Sequence, residues 1–394
     1  MMKVYLDHAA TTPVFPQVVE VMNQVMLEHF GNPSSMHQFG QDAKVYLDTA
    51  RSQVADLLQA KPEEIYFTSG GTEADNLAIF GCAVQRAEQE KKRHIITSAV
   101  EHHAVLEACE ELAKHQGFAL TVLPVDGYGM VAPESLAAAL RPDTALVTIM
   151  HANNEVGTIN PIRELAAIAH EAGAVFHCDA VQSVGKIPCD VQELGVDLLT
   201  CSSHKINGPK GVGALYKKAE ISLYPRLFGG GQESKLRSGT ENLPGIAGFG
   251  QAAELTRLNR RRHSEEWRQL RDYLLQQVLG EISESRLNGH PTQRLPHNAH
   301  LSFNYIEGEA LLVYLNMNGI ACSAGSACSS GLAEPSHVLT AMGLNPQMLA
   351  SGIRFTVGLG VDLPQIAYAA DVIRDKVALL RSMSPFYPGE GTQG

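Results

Sequence analysis

Between residues 64 and 217 short apolar runs alternate with longer amphipathic stretches, and this rhythm constrains the fold more than any other feature. It predicts strands over 64–67, 93–98, 119–125, 145–150, 174–179, 196–199 and 213–216. Helices are expected over 74–87, 102–115, 133–140 and 161–172. Alternation of this kind implies a mainly parallel sheet covered by helices on both faces, an α/β class. Ligands of such sheets sit beyond the carboxyl ends of the strands. Thr72, His102, Asn154, Asp179, Gln182 and Lys205 all fall at or just past such ends. Polar residues kept for structure alone would have no cause to gather on one edge.

The flanking sequence sets the domain organisation. An extended arm over 4–13 leads to helical spacing over 16–30, which Gly31-Asn32-Pro33-Ser34-Ser35 breaks, and to a second helix over 42–59. After a donor-rich loop over 237–242 comes a long helix over 244–286. Strands over 300–304 and 353–357 and helices over 309–318 and 363–382 complete a smaller α+β unit. A chain of 394 residues exceeds what one core usually supports, so two domains are expected. The boundary is placed inside the long helix. Residues 16–260 form the large domain, and 1–15 with 261–394 form the small one.

Composition excludes several roles. A net charge of −11 argues against direct nucleic-acid binding, and Arg257 with Arg260, Arg261 and Arg262 reads as a solvated helix face. No run approaches the ~18 apolar residues of a membrane span, and the first residues carry no signal-peptide pattern. The seven scattered cysteines suit reduced thiols in a cytoplasm better than a disulfide framework. The end, 389–394, is expected to fray.

Two strand ends carry the chemistry. The run over 196–199 leads through Cys201, Ser202 and Ser203 to His204 and Lys205, with the glycine-rich 208–213 close behind. Burying an ammonium costs several kcal/mol unless it is paired or neutralised. The neighbouring run ends in Asp179, for which no nearby base offers a partner. A lysine and a carboxylate on adjacent strand ends suit pyridoxal phosphate, which needs an amine for its aldehyde and an acid for its pyridine nitrogen. Thr68-Ser69-Gly70-Gly71-Thr72-Glu73, between a strand and a helix, is a phosphate-binding candidate. Taken alone, the turn fits better a plain helix with Thr72 as cap and Glu73 in its first turn. The run over 321–331 contains only small residues around Cys322 and Cys328, so a mobile loop bearing a reactive Cys328 thiol is expected. A metal clip there would lack the short spacing of zinc sites. Arg354, in an alternating strand, is expected to point away from the core, either clamping a substrate carboxylate or making a surface ion pair.

With these residues assembled, the chain resembles the NifS/IscS-type cysteine desulfurases of the class V aminotransferase family, pyridoxal-phosphate enzymes of the aspartate-aminotransferase fold type I. The likeness runs through 5–13, 31–35, 68–76, Glu101-His102, 151–157, 177–185, 202–211 and 237–240, and the loop over 323–330 with 334–339 matches the long-loop class. The resemblance implies that Lys205 bonds the cofactor and moves protons, Asp179 pairs with the pyridine nitrogen, Gln182 bonds the ring hydroxyl, and His102 lies over the ring. Gly71, Thr72, Ser202 and His204 would hold the phosphate, joined by Thr240 from the other subunit of a homodimer. Asn154 and Arg354 would position cofactor and substrate, and Cys328 would accept sulfur from L-cysteine as alanine leaves. No resident metal is expected, Cys328 at most lending a transient ligand to an iron–sulfur cluster. The partners implied are an iron–sulfur scaffold or another sulfur acceptor. Cys322 stands where the family more often has a non-thiol residue, and the tail is short for docking a scaffold.

The rivals are a selenocysteine lyase or another fold type I enzyme, which would differ in its dependence on Cys328, and a non-enzymatic thiol or metal carrier, which would be colourless. A zinc hydrolase built on His102, His103 and His177 lacks a helical histidine pair at ligand spacing.

Overall fold

The computed structural model describes residues 2–324 and 335–388. Strand β1 (Val4–Tyr5) and helices α1 (Pro16–Leu27) and α2 (Gln38–Leu58) precede the main sheet. The alternating region follows as β2 (Ile65–Thr68), α3 (Gly71–Glu90), β3 (His94–Ser98), α4 (His103–His115), β4 (Ala119–Leu123), α5 (Pro133–Ala139) and β5 (Thr144–Thr148). It continues through α6 (Ile162–Glu171), β6 (Val175–Asp179), α7 (Val191–Leu194), β7 (Leu198–Ser202) and β8 (Gly213–Lys217).

These strands form one seven-stranded sheet in the order β2-β8-β7-β6-β5-β3-β4. Strand β8 pairs antiparallel with both neighbours, and every other pairing is parallel. Every residue of β5, β6 and β7 is buried. Helices on both faces make that burial complete, so these strands read as apolar runs rather than as alternation. The order turns back between β3 and β5, the kind of switch point where an α/β sheet opens a crevice.

The remainder comprises α8 (Leu243–Glu281), β9 (Ser285–Asn288), β10 (Asn298–Phe303), α9 (Gly308–Met317), β11 (Ile320–Ala321), α10 (His337–Ala341), α11 (Pro346–Ala350), β12 (Ile353–Thr356) and α12 (Leu363–Met383). Strands β12, β10 and β9 make an antiparallel sheet, while β1 pairs with β11. Helix α8 is 39 residues long, about 58 Å at 1.5 Å per residue. Its Phe249, Ala252 and Ala253 join the core of the main sheet. Its Trp267, Leu274 and Val278 pack with Val4, Leu6, Leu301, Phe355 and Ile373 in a separate core. The N-terminal arm therefore buries its apolar side chains with the C-terminal third of the chain.

The expected helix over 244–286 ends earlier, and 285–288 is a strand instead. Six further elements, β1, α7, β9, β11, α10 and α11, each span five residues or fewer, too short for periodicity to declare them. Among the described residues no helix is long and apolar enough to cross a membrane.

Candidate active site at the carboxyl edge of the sheet

The loops leaving β2, β3, β5, β6 and β7 enclose a cavity of about 790 Å³. Gly71 and Thr72 come from the start of α3, His102 from the residue before α4, Asn154 from the loop after β5, Asp179 and Gln182 from the end of β6, and Ser202, His204 and Lys205 from the end of β7. The structure thus gathers nine of the residues singled out in the sequence around one space.

Lys205 reaches across to the N-terminal arm, where its Nζ donates to the carbonyl oxygens of Ala9 at 2.6 Å and Ala10 at 2.8 Å. The arm is itself tied to this edge. Thr12 Oγ1 donates to the carbonyl of His204 at 2.8 Å, and Gln182 Nε2 donates to the carbonyl of Ala9 at 3.0 Å. His204 Nδ1 lies 3.2 Å from Thr11 Oγ1, and burial, with Lys205 beside it, pushes this imidazole down to about 4. The ring is therefore neutral at physiological pH.

Asp179 is buried, which raises its carboxyl above the usual range, while His102 and an amide bond from Val181 at 2.9 Å pull the other way. His102 caps α4, its Nδ1 accepting from the amide of Ala104 at 3.1 Å, so a neutral ring carries its proton on Nε2. Burial lowers its pKa against the pull of Asp179. Two further acids sit close by. Asp75 lines the cavity from the second turn of α3, is 2% exposed, and is pushed well up by burial and by Asp179. Its Oδ1 is 3.7 Å from His177 Nε2. That imidazole, held by the hydroxyls of Thr148 at 2.8 Å and Thr200 at 3.0 Å, is driven by burial to about 3 and offers no positive charge. Sequence reasoning stopped at Thr72 and missed Asp75. The signal was available, because a polar residue one turn into a helix that opens on an anion site faces the same space.

Glu101 is the other acid. Its side chain accepts from Ser98 Oγ at 2.5 Å and from the amide of Met150 at 3.0 and 2.9 Å, yet burial lifts it to about 8. A raised carboxyl pKa means that the folded chain holds a proton the unfolded chain has released. The stability this contributes is complete below the unfolded value near 4.5 and is lost as pH rises through about 8. Glu101→Gln removes the titration. Its stability relative to the parent should therefore climb by about 1.4 kcal/mol per pH unit between those limits. Urea midpoints at pH 5, 6.5 and 8 check this, and a constant difference between the two proteins would refute it.

Two predicted residues do not line this cavity. Thr240 is exposed and lines a different pocket, beside Met26, Phe30 and Pro33. Arg354 corrects its expectation: all of β12 is buried, and Arg354 is 4% exposed rather than turned outward. Its Nη2 pairs with Asp7 at 3.0 Å and its Nη1 donates to the carbonyl of Asn154 at 2.9 Å, so the ion pair is buried rather than on the surface. Period-2 reasoning fails here because the arm covers the strand's second face through its Asp7 and Leu6 contacts with Arg354 and Thr356. Cys328 lies outside the described residues. Cys322 is largely buried, and burial together with Asp7 raises its thiol, leaving it protonated and unreactive.

A half-buried lysine just past β7 and a buried acid at the end of the neighbouring parallel β6, beside a glycine-rich helix start, define an α/β enzyme of the pyridoxal-phosphate fold type I. The aminotransferase class-V model matches residues 4–366. A cysteine desulfurase IscS from Dictyoglomus turgidum is 50% identical over 384 residues, covering 98% of this chain and 97% of that protein. Among solved structures, a NifS-like protein superposes with a TM-score of 0.89 at 36% identity, covering 96% of this chain and all of the other. SspA in complex with cysteine superposes at 0.81 with 36% identity, covering 90% and 99% of the two chains. The chain belongs to the class-V aminotransferase family and, within it, to the cysteine desulfurases.

Proposed function

We propose that this chain takes the sulfur from L-cysteine, releases L-alanine, and carries the sulfur on Cys328 as a persulfide for iron–sulfur cluster assembly or thiolation. The observation that supports this most is the meeting of Lys205 and Asp179 in one cavity that also holds an anion cradle.

That cradle fits a phosphate. Ser202 is 3% exposed and lines the cavity, yet its Oγ has no hydrogen-bond partner among the described residues. A phosphate oxygen would satisfy it. At Gly71 an added Cβ would stand 2.9 Å from Val181 Cγ2 and 3.7 Å from Ser202 Cβ, closing the space beside that hydroxyl. Gly71, Thr72, Ser202 and His204 would hold the phosphate of pyridoxal phosphate, Asp179 its pyridine nitrogen and Gln182 its ring hydroxyl. Bound there, the cofactor supplies an aldehyde for the substrate amine and a ring that accepts the electron pair left at the α-carbon.

The chain's own groups do the rest. Lys205, neutral once displaced by substrate, takes the α-proton and later returns a proton to the carbon skeleton. His102 Nε2, aimed away from its cap, serves proton transfer on the cavity side. Arg354 sits behind Asn154 and orients the substrate carboxylate with it. The thiolate of Cys328 takes the substrate sulfur, and the acceptor protein then collects it.

Thr240 serves a second copy of the chain. Leu27, Phe30, Met36 and Phe39 are 76%, 67%, 93% and 58% exposed, and Phe30 stacks on Phe39 beside the pocket that holds Thr240. An apolar patch of this kind is a protein-contact surface, here covered in a homodimer. Residues 16–260 act as the cofactor domain, and 1–15 with 261–394 as the domain bearing the cysteine loop. The six free thiols among the described residues suit a reducing cytoplasm.

The test supplies the cofactor-loaded enzyme with L-cysteine and a thiol reductant. Alanine and sulfide should appear in equal amounts, and a scaffold protein should divert the sulfur. A loaded enzyme that forms no alanine would end this proposal.

A further inference from the structure

Behind Lys205 lies a buried lysine to which the reaction above gives no task. Lys186 is 5% exposed, and its Nζ donates to the main-chain carbonyl of Lys205. Its own backbone is clamped. The amide donates to the Ser183 carbonyl at 3.0 Å, and the carbonyl accepts from Ser264 Oγ on α8. The preceding Gly185, at φ +81°, packs so closely that a Cβ would fall 2.7 Å from Thr256 Cγ2 and 2.8 Å from Ile206 Cγ2. The side chain thus cannot swing to solvent without moving α8.

Among the described residues nothing nearby neutralises it. The charged groups acting on it are Lys205 and the Cys189 thiol, and burial holds that thiol up at about 11. His8 of the arm and His297, which precedes β10, face Lys186 as neutral rings, pushed down by burial to about 4 and well below the usual range respectively. His204 is a further neutral ring that feels the Lys186 charge, and Arg260 of α8 reaches the Ile187 carbonyl at 3.5 Å. Burial and Lys205 bring Lys186 down to about 7. A desolvated ammonium facing one carbonyl and no carboxylate is costly, and such a group persists where it serves another.

We propose that Lys186 is a positioning residue for the reaction: its buried charge presses the Lys205 amine toward the neutral, nucleophilic form while its hydrogen bond holds the Lys205 backbone. The proposal rests on Lys205 being the reacting lysine. Two cations sharing a desolvated site disfavour each other, and a neighbouring cation is one way to activate a lysine. Asp179, His102 and His204 also face Lys205. Asp179 favours the ammonium there, so a second cation is needed to oppose it. The neutral amine uses its lone pair to form the bond to the aldehyde carbon, and water leaves with the aldehyde oxygen. An ammonium has no pair to offer.

The test follows the rate at which the full-length chain, freed of cofactor, gains its visible absorption band on mixing with pyridoxal phosphate across pH. Lys186→Gln keeps a donor for the carbonyl and drops the charge, and Lys186→Met drops both. Each should raise the pH midpoint of capture, slowing it about tenfold below about pH 7, where Lys186 carries its charge, and less above. Lys186→Arg keeps the charge and should keep the midpoint. A folded Gln or Met variant with the parent midpoint, or one slowed equally at every pH, overturns the proposal, as does an Arg variant that shifts like Met. Lys205→Ala separates the two ideas: a band that survives there defeats the assignment of Lys205, whereas its loss with unmoved Lys186 variants defeats only the role of Lys186.

Discussion

Lys205→Ala abolishes the visible band that the protein forms with pyridoxal phosphate and lowers alanine formation by about 10³-fold or more, the scale set by losing both a positioned nucleophile and a general base. In the proposed reaction the side chain has two tasks at one atom. Its nitrogen bonds the cofactor in the resting enzyme, and once displaced it moves a proton at the substrate's α-carbon. Alanine keeps the backbone of the turn after β7, so the network through Thr12, Asn207 and the arm survives. The variant should therefore fold like the parent, and equal urea midpoints with absent colour would separate lost chemistry from lost structure. Retained colour with retained turnover would show that another amine does this work.

Cys328→Ala should behave in the opposite way. The band forms and L-cysteine still perturbs it, because Lys205, Asp179 and the phosphate cradle are untouched, but sulfide release and transfer to a scaffold fall to background. Only a thiolate carries sulfur as a persulfide, and burial keeps the described cysteines at the site edge from substituting: Cys322 is held protonated and Cys201 is pushed up to about 12. Sulfide release that persists undiminished would point to a lyase in which the thiol takes no part. Assaying selenocysteine alongside cysteine distinguishes that outcome further. A selenocysteine lyase would retain turnover on its own substrate.

The two variants separate two proposed tasks, bonding the cofactor and carrying sulfur. Lys205 stands on a turn buttressed by β7, the arm and Lys186, and its placement is rigid. Cys328 belongs to a run of small residues that lies outside the described chain. The division between a clamped amine and a carrier thiol follows from the two steps having different destinations.

Much of this was readable along the chain. The alternation over 64–217 announced a parallel sheet because helices on both faces bury β5, β6 and β7 completely, and complete burial leaves an apolar run as its trace. Thr72, His102, Asn154, Asp179, Gln182 and Lys205 were legible because a parallel sheet puts all its carboxyl ends on one edge, so position within the rhythm gives position in space. Other features leave no such trace. Asp7 and Arg354 are 347 residues apart and meet in a buried pair, and no local period encodes that distance. The burial of Lys186 has no local trace, because Ser264 on the distant α8 holds its backbone. The sequence by itself determined which residues stand at the strand ends, since strand period and helix period are properties of neighbouring residues. The tertiary structure alone decided which charges lost water and what they faced, because desolvation depends on everything packed around a group, however far away it lies in the chain.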